Sequence, residues 1–268
     1  MQQKGNLTLE ELIFNGSYPE IHDRDRSPTI WYPSYIRTYV ERDVRQVKNI
    51  ENTALFTKFL RLCAGRVGQQ VNVAALSNEC GIDVRTVQSW LSVLESTYVI
   101  KLLSPFHRNF NKRITKSPKL YFIDSGLACS LLGIRTTDEL TVSHFKGALV
   151  ENFIIMELLK NGLNKGLQQS LYYWRENNGV EVDVILDSGA TFTPIEIKSA
   201  QTFSKDFLSN LKKQWDKSTK GLTKAGVAKE MANMLGVGQN AVQQLQRRTR
   251  RKLNIETSDE LAQLAQTI

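Results

Sequence analysis

Glu151, Asp183, Glu196 and Lys198 are the residues of this sequence whose types and spacing fit a hydrolytic centre. In Pro194-Ile195-Glu196-Ile197-Lys198, the alternation of a strand sends Glu196 and Lys198 to one face and Ile195 and Ile197 to the other. In Val180-Glu181-Val182-Asp183-Val184, the same alternation sets Glu181 and Asp183 opposite three valines. Thirteen positions separate Asp183 from Glu196, room for a strand, a tight turn and a strand. If the two strands are neighbours, Asp183, Glu196 and Lys198 meet at one sheet edge, and Glu151, on a preceding helix, adds a third carboxylate. Carboxylate oxygens are the donors that hold Mg²⁺, which polarises a phosphoryl oxygen and acidifies water, and an ammonium offsets transition-state charge. Asp183, Glu196 and Glu151 are therefore the candidate metal ligands, the Ile197 carbonyl a further oxygen donor, and Lys198 the group that orients or activates water. The same alternation also fits a solvated sheet face that does no chemistry.

The elements that must position these groups are readable around them. Residues 146–160 have a helical pattern whose apolar positions Leu149, Phe153, Met156 and Leu159 define a buried side. Strand signals follow at 171–175, 180–186 and 191–197, separated by Asn177-Asn178-Gly179, a strong hairpin signal, and by Asp187-Ser188-Gly189-Ala190. A helix pattern at 204–215 completes an order αβββα.

Upstream, Thr8 and Glu11 fit a capping box for a helix over 9–14, which Gly16-Ser17-Tyr18-Pro19 breaks. Trp31, Tyr35 and Tyr39 recur at helical spacing as a packing row, and 39–45 carries opposite charges that suit a helical ion-pair ladder. Residues 54–124 read as helix, helix, turn, helix, hairpin. A short helix spans 73–80, Gly81-Ile82-Asp83 supplies a turn and an N-cap, and Val84, Val87, Leu91 and Leu94 form one apolar stripe. Arg85, Gln88, Ser89 and Ser92 then face outward. Strand runs at 98–103 and 120–123 flank a basic segment, so these are the parts of a winged helix with 84–95 in the recognition position and 104–119 as the wing.

The 268 residues carry 35 basic and 27 acidic side chains, a net charge of +8. Lys101, Arg108, Lys112, Arg113, Lys116 and Lys119 occur with no acidic residue among them, and 217–268 holds nine basic against four acidic residues. Two basic zones point to a polyanion. An apolar share of 41% with six prolines excludes a collagen-like or wholly disordered chain. No secretory leader and no apolar run of about 20 residues is present, so a cytoplasmic protein with no membrane partner is expected. Cys63, Cys80 and Cys129 lack metal-ligand spacing and read as buried thiols, and His22, His107 and His144 form no triad or ligand pattern. The sequence contains no Gly-Lys dipeptide and hence no phosphate-cradling GxxxxGK[ST], so the chain should not hydrolyse ATP alone.

Asp183 followed by Glu196-Ile197-Lys198 resembles the PD-(D/E)XK signature of restriction-endonuclease-like domains. The region from Gly16 to about Trp215 is similar to a C-terminal module, of unassigned function, of bacterial AAA-type ATPases. The carrying segments are Gly16-Ser17-Tyr18-Pro19, Tyr39-Val40-Glu41-Arg42-Asp43-Val44, Lys119-Leu120-Tyr121-Phe122-Ile123-Asp124-Ser125-Gly126-Leu127, Gly147-Ala148-Leu149-Val150-Glu151-Asn152 and Glu196-Ile197-Lys198-Ser199-Ala200. The resemblance implies a nuclease-like site at Glu151, Asp183, Glu196 and Lys198, and a separate ATPase chain, or another copy of this one, as partner. Met231 to Val237, Ala241-Val242, Arg251 to Ile255 and Ser258 to Leu261 together resemble the LuxR-type helix-turn-helix of bacterial transcription regulators. That likeness implies Asn240, Gln243, Gln244, Arg247, Arg248 and Arg251 as DNA contacts.

The expected architecture is α+β: a helical region (1–53), a winged helix (54–135), a restriction-endonuclease-like αβββα domain (136–216) and a basic helix-turn-helix tail (217–268). The expected DNA contacts are Arg85 and Gln88 on the recognition helix, Arg108, Lys112 and Arg113 in the wing, and the tail residues. The expected function is DNA binding with possible Mg²⁺-dependent cleavage. A transcription regulator acting through the tail and an inert protein-interaction module are the alternatives.

Overall fold

The structure is a computed structural model that describes residues 7–44, 52–106, 117–166, 170–175, 181–187 and 192–199. These form a mixed α+β fold, rich in helix, with two small antiparallel sheets. Helix α1 (Leu9–Asn15) opens on the expected capping box: Glu11 N donates to Thr8 Oγ1 at 3.2 Å, and Thr8 N donates to Glu11 Oε2 at 2.7 Å. Helix α2 (Pro19–His22) begins on a proline, which has no N–H to leave unpaired. Along α3 (Pro28–Thr38), Trp31 stacks on Tyr35 at 5.0 Å and Tyr35 on Tyr39 at 6.2 Å, as the ring spacing predicts. The charged segment after it is wider than the α-helix expected: Tyr39–Val44 is a π-helical turn.

Three capped helices follow. Asn52 accepts from Leu55 N at the start of α4 (Thr53–Ala64), Asn72 from Ala75 N at α5 (Val73–Cys80), and Asp83 from Thr86 N at α6 (Val84–Ser96). Helix α6 buries Val87, Trp90, Leu91, Val93 and Leu94, with Trp90 edge-on to Phe56 and Phe59. Val84 departs from the expected stripe at 44% exposure, because it is the first helical residue and overhangs the end of the core. Burying a side chain such as Phe56 or Leu94 stabilises the fold by about 1.5–3 kcal/mol each.

Strands β1 (Ile100–Leu103) and β2 (Lys119–Phe122) pair antiparallel, with Ile100 opposite Phe122 and Leu103 opposite Lys119. All four residues of β2 are buried. Its outer edge is closed by Gly68 N to Leu120 O at 2.8 Å, Leu120 N to Gln69 O at 3.0 Å, and the Asn152 amide, which pairs with both Phe122 N and Phe122 O. Lys119 thus belongs to a buried strand and not to the wing, a correction to 104–119 as a phosphate-facing segment. Lys101, from the same basic run, is held by Glu95 at 2.8 Å.

Helices α7 (Ser125–Leu131), α8 (Thr137–Val142) and α9 (Lys146–Asn164) lead to a meander of β3 (Ser170–Arg175), β4 (Glu181–Asp187) and β5 (Phe192–Ile195). On α9 the buried positions are Leu149, Val150, Asn152, Ile155, Met156 and Gly162; Phe153 and Leu159, expected inside, are partly buried. One hydrophobic cluster runs from Ile13 through Phe56, Leu94 and Tyr121 to Tyr173 and Val184. Cys63, Cys80 and Cys129 are free and buried, as expected. Among the described residues no helix is long and apolar enough to cross a membrane.

Candidate functional site

The β4–β5 register sets Val184 opposite Ile195, so Asp183 and Glu196 are the next residues beyond that pair, Glu196 just past the end of β5. The sequence pattern required this adjacency. Val182 and Val184 point into the core while Asp183 lies on the other face, half-buried. Ile197 N donates to Asp183 Oδ2 at 2.7 Å, so the backbone just past β5 clamps this carboxylate. Lys198 Nζ donates to Glu196 Oε1, and Glu196 Oε2 is buried with no hydrogen-bond partner among the described residues. An unpaired buried carboxylate oxygen is costly, and a cation is one way to satisfy it.

The electrostatics bind these groups into one set. Burial pushes Asp183 up to about 7, and the charges of Glu196 and Glu151 add to the shift; the Ile197 N–H and Lys119 oppose it without cancelling it. Burial favours the neutral form of Lys198, but its bond to Glu196 and the charges of Glu196, Asp183 and Glu151 outweigh that and raise its pKa. Among the described residues Asp183 makes no ion pair.

Glu151 comes from α9, and the first half of the chain holds it in place. Tyr121 Oη donates to Glu151 Oε1 at 2.5 Å, and Lys119 Nζ lies 3.3 Å from the same oxygen. Lys119 also bonds to Glu181 Oε1, sits 5.5 Å from the centre of the Tyr173 ring, and is only 4% exposed. Burial alone would lower its pKa, yet Glu151, Glu181 and Asp183 together raise it. Arg175 Nη1 stands 3.6 Å from the other Glu181 oxygen. Lys119 and Tyr121 are residues of this candidate site that sequence reasoning missed, and Glu181, which alternation set on the Asp183 face, was given no role. The available signal was a lysine opening Lys119-Leu120-Tyr121-Phe122, a run too apolar for a solvated wing.

Tyr173 ties the basic segment to this sheet. Pro105 pairs in parallel with Tyr173: Phe106 N donates to Tyr173 O at 2.6 Å, and Tyr173 N donates to Ser104 O at 3.1 Å. The Tyr173 hydroxyl donates to Ser117 O at 2.6 Å and accepts from Gln70 Nε2 at 2.7 Å. Both roots of 107–116 therefore attach to the sheet that carries the carboxylates.

Arg85 and Gln88 are exposed on α6, opposite its buried face. Arg108, Lys112 and Arg113, and Asn240, Gln243, Gln244, Arg247, Arg248 and Arg251, lie outside the described residues, as do the helix expected at 204–215 and the whole tail. The donor set is all oxygen and contains an orphaned buried atom, which fits a hard cation such as Mg²⁺. As they stand, no three His, Cys, Asp or Glu side chains among the described residues are gathered closely enough to ligate one ion. Ligation by three carboxylates therefore calls for side-chain rotation. A groove of about 310 Å³ lined by Pro33, Ile36, Arg37, Val40 and Arg61 lies apart from these residues and has no carboxylate in its lining.

Residues 6–138 match a domain of unknown function, DUF8612, and residues 146–246 match a second, DUF4143. The chain is 30% identical over 200 residues to the uncharacterized proteins Rv2008c of Mycobacterium tuberculosis and Mb2031c of Mycobacterium bovis. The match covers 74% of this chain and 44% of each relative, so the chain spans less than half the length of these curated relatives. No solved structure matches.

Proposed function

We propose that this chain is a DNA-binding module with a restriction-endonuclease-like site that hydrolyses phosphodiester bonds with Mg²⁺. The observation that carries the reading is Asp183: a half-buried carboxylate that feels the charges of Glu196 and Glu151, with no ion pair among the described residues, together with an orphaned buried oxygen on Glu196. Structural carboxylates are normally neutralised where they stand, and an acidic set left short of positive charge suits a bound cation. Asp183 and Glu196 would hold Mg²⁺, with Glu151 as third ligand; when bound, the ion supplies Lewis acidity and a more acidic water. Lys198, half exposed and paired with Glu196, would orient or activate the attacking water and offset charge in the transition state. The Ile197 N–H keeps Asp183 Oδ2 turned toward β5, leaving Oδ1 for the ligand.

In this reading residues 54–135 form a winged helix that supplies affinity, with Arg85 and Gln88 toward the groove and the 107–116 segment on the backbone. The tail adds a second, LuxR-like contact surface, and a separate ATPase chain or a second copy of this one is the protein partner. One observation favours the inert alternative: Lys119 and Lys198 already sit on Glu151, Glu181 and Glu196, so part of the acidic charge is neutralised internally.

The test is cleavage of single-stranded, double-stranded and branched DNA by the full chain, stripped with EDTA and restored with Mg²⁺. Glu196→Ala should abolish cleavage and leave DNA binding within about threefold, because affinity resides on separate basic surfaces. Cleavage that survives Glu196→Ala, or a wild-type chain that cuts none of the substrates, overturns the nuclease reading.

A further inference from the structure

Glu151 reaches the carboxylate set from a helix, yet its orientation is set by a strand of the other half of the molecule. Tyr121 Oη and Lys119 Nζ both approach its Oε1, at 2.5 and 3.3 Å, from positions 30 and 32 residues earlier in the chain. Both donors are buried, Tyr121 fully and Lys119 to 4% exposure, so neither loses these bonds to bulk water. The strand they stand on is itself fixed to α9 by the next residue, Asn152, whose amide bonds to Phe122 N at 2.7 Å and to Phe122 O at 2.9 Å. Two consecutive residues of α9 are thus locked to β2 by their side chains, Asn152 through its amide to the Phe122 backbone and Glu151 through a carboxylate oxygen.

The charge arithmetic matters as much as the geometry. Lys119 is shared between Glu151 and Glu181, so its one positive charge offsets the two carboxylates only in part. Tyr121 contributes a donor with no charge, and burial beside Glu151 drives its pKa upward, so the hydroxyl keeps its proton. Gly68, at φ +77°, faces both Glu151 oxygens; a Cβ there would lie 3.7 Å from each.

We propose that Tyr121 and Lys119 are positioning residues of the carboxylate site, holding Oε1 of Glu151 so that its second oxygen is left for a divalent cation. This rests on the Mg²⁺ reading above. It moves the functional boundary of the site into the first half of the chain, since among the described residues the donors that fix Glu151 stand on β2. Buried partners that orient a metal ligand are worth about 10–100-fold in metal affinity.

The test is Mn²⁺ binding to the full chain at neutral pH by isothermal titration calorimetry, with thermal unfolding measured in parallel. Tyr121→Phe leaves every charge in place, and it should weaken Mn²⁺ roughly tenfold. In a Glu151→Gln background the same substitution should have no further effect, because Tyr121 acts only through Glu151. Lys119→Met should also weaken Mn²⁺; should it fail to fold, Tyr121→Phe decides the matter. A lower unfolding temperature with wild-type Mn²⁺ affinity in Tyr121→Phe, or equal weakening with and without Glu151, overturns the positioning role. A wild-type chain that binds no Mn²⁺ overturns this inference and the cation reading together, whereas binding lost in Asp183→Asn and unchanged in Tyr121→Phe overturns this inference alone.

Discussion

Asp124 and Asp183 are both withdrawn from water, one in the helical half of the molecule and one in the meander, and their surroundings are opposite. Asp124, 3% exposed, caps α7 and accepts four hydrogen bonds: Ser17 N at 2.6 Å, Ser17 Oγ at 3.1 Å, Tyr32 Oη at 2.7 Å and Leu127 N at 2.8 Å. The backbone around it leaves no slack. A Cβ on Gly16 would lie 2.1 Å from Tyr32 Oη, and one on Gly126 would lie 2.3 Å from it. Among the described residues Asp183 has one hydrogen-bond donor, Ile197 N, and the charges of two carboxylates near it outweigh that of Lys119. A carboxylate that holds a fold together is saturated with donors, and one kept for a ligand is left short.

The largest effect should come from breaking the saturated member. Asp124→Ala removes the cap of α7 and leaves the Ser17 and Leu127 N–H groups without their acceptor, while Tyr32 Oη keeps Asn15 O at 2.8 Å; at about 1–3 kcal/mol for each unsatisfied group plus about 1 kcal/mol for the cap, a loss on the order of 3–5 kcal/mol is expected in urea unfolding. A loss below about 1 kcal/mol would erase the contrast between the two aspartates. Lys198→Ala comes next: in single-turnover cleavage it should cost about 2.7–4 kcal/mol of transition-state stabilisation, a roughly hundred- to thousand-fold slower reaction. Mg²⁺ affinity should survive this change, since Lys198 is not a ligand.

Asp183→Asn sharpens the comparison through pH. The folded-state pKa of Asp183 is raised to about 7, whereas an unfolded aspartate titrates near about 4. Its contribution is therefore most favourable below about 4 and is lost as pH rises through about 7, because the fold must then bury a charge that the unfolded chain keeps in water. Asn cannot ionise and can still accept from Ile197 N. In the absence of divalent cations the variant should match the wild type in acid and exceed it by roughly 1–3 kcal/mol on the alkaline side of 7. A variant less stable than the wild type at every pH would show that Asp183 is a structural anchor like Asp124. The smallest effect is Tyr32→Phe, which removes one of four donors from Asp124 and should cost about 1 kcal/mol.

What the sequence disclosed follows from the range of the interaction. The approach of Asp183 to the end of β5 was legible because strand pairing is local, and the register sets Val184 opposite Ile195; Glu196 and Lys198 stand past β5, outside the alternation expected for them. Thr8, Asp83 and Gly81 were legible because caps act within one helical turn. Lys119 and Tyr121 were not, because their bonds to Glu151 span 32 and 30 residues and depend on how α9 lies against β2. Lys119 was concealed by its company: five other basic residues in 101–119 made it look like one more phosphate contact. Asn152 was hidden on an apolar stripe, where its pairing with the Phe122 backbone closes a sheet edge that no sequence periodicity reports.

The central claim, that Asp183 is kept short of positive charge for a cation to supply, is tested most directly by following the Asp183 carboxyl carbon by NMR across pH, with and without Mg²⁺. The account predicts a midpoint near about 7 in the metal-free protein and a midpoint well below that when Mg²⁺ is present. A midpoint near about 4 that Mg²⁺ does not move would contradict it.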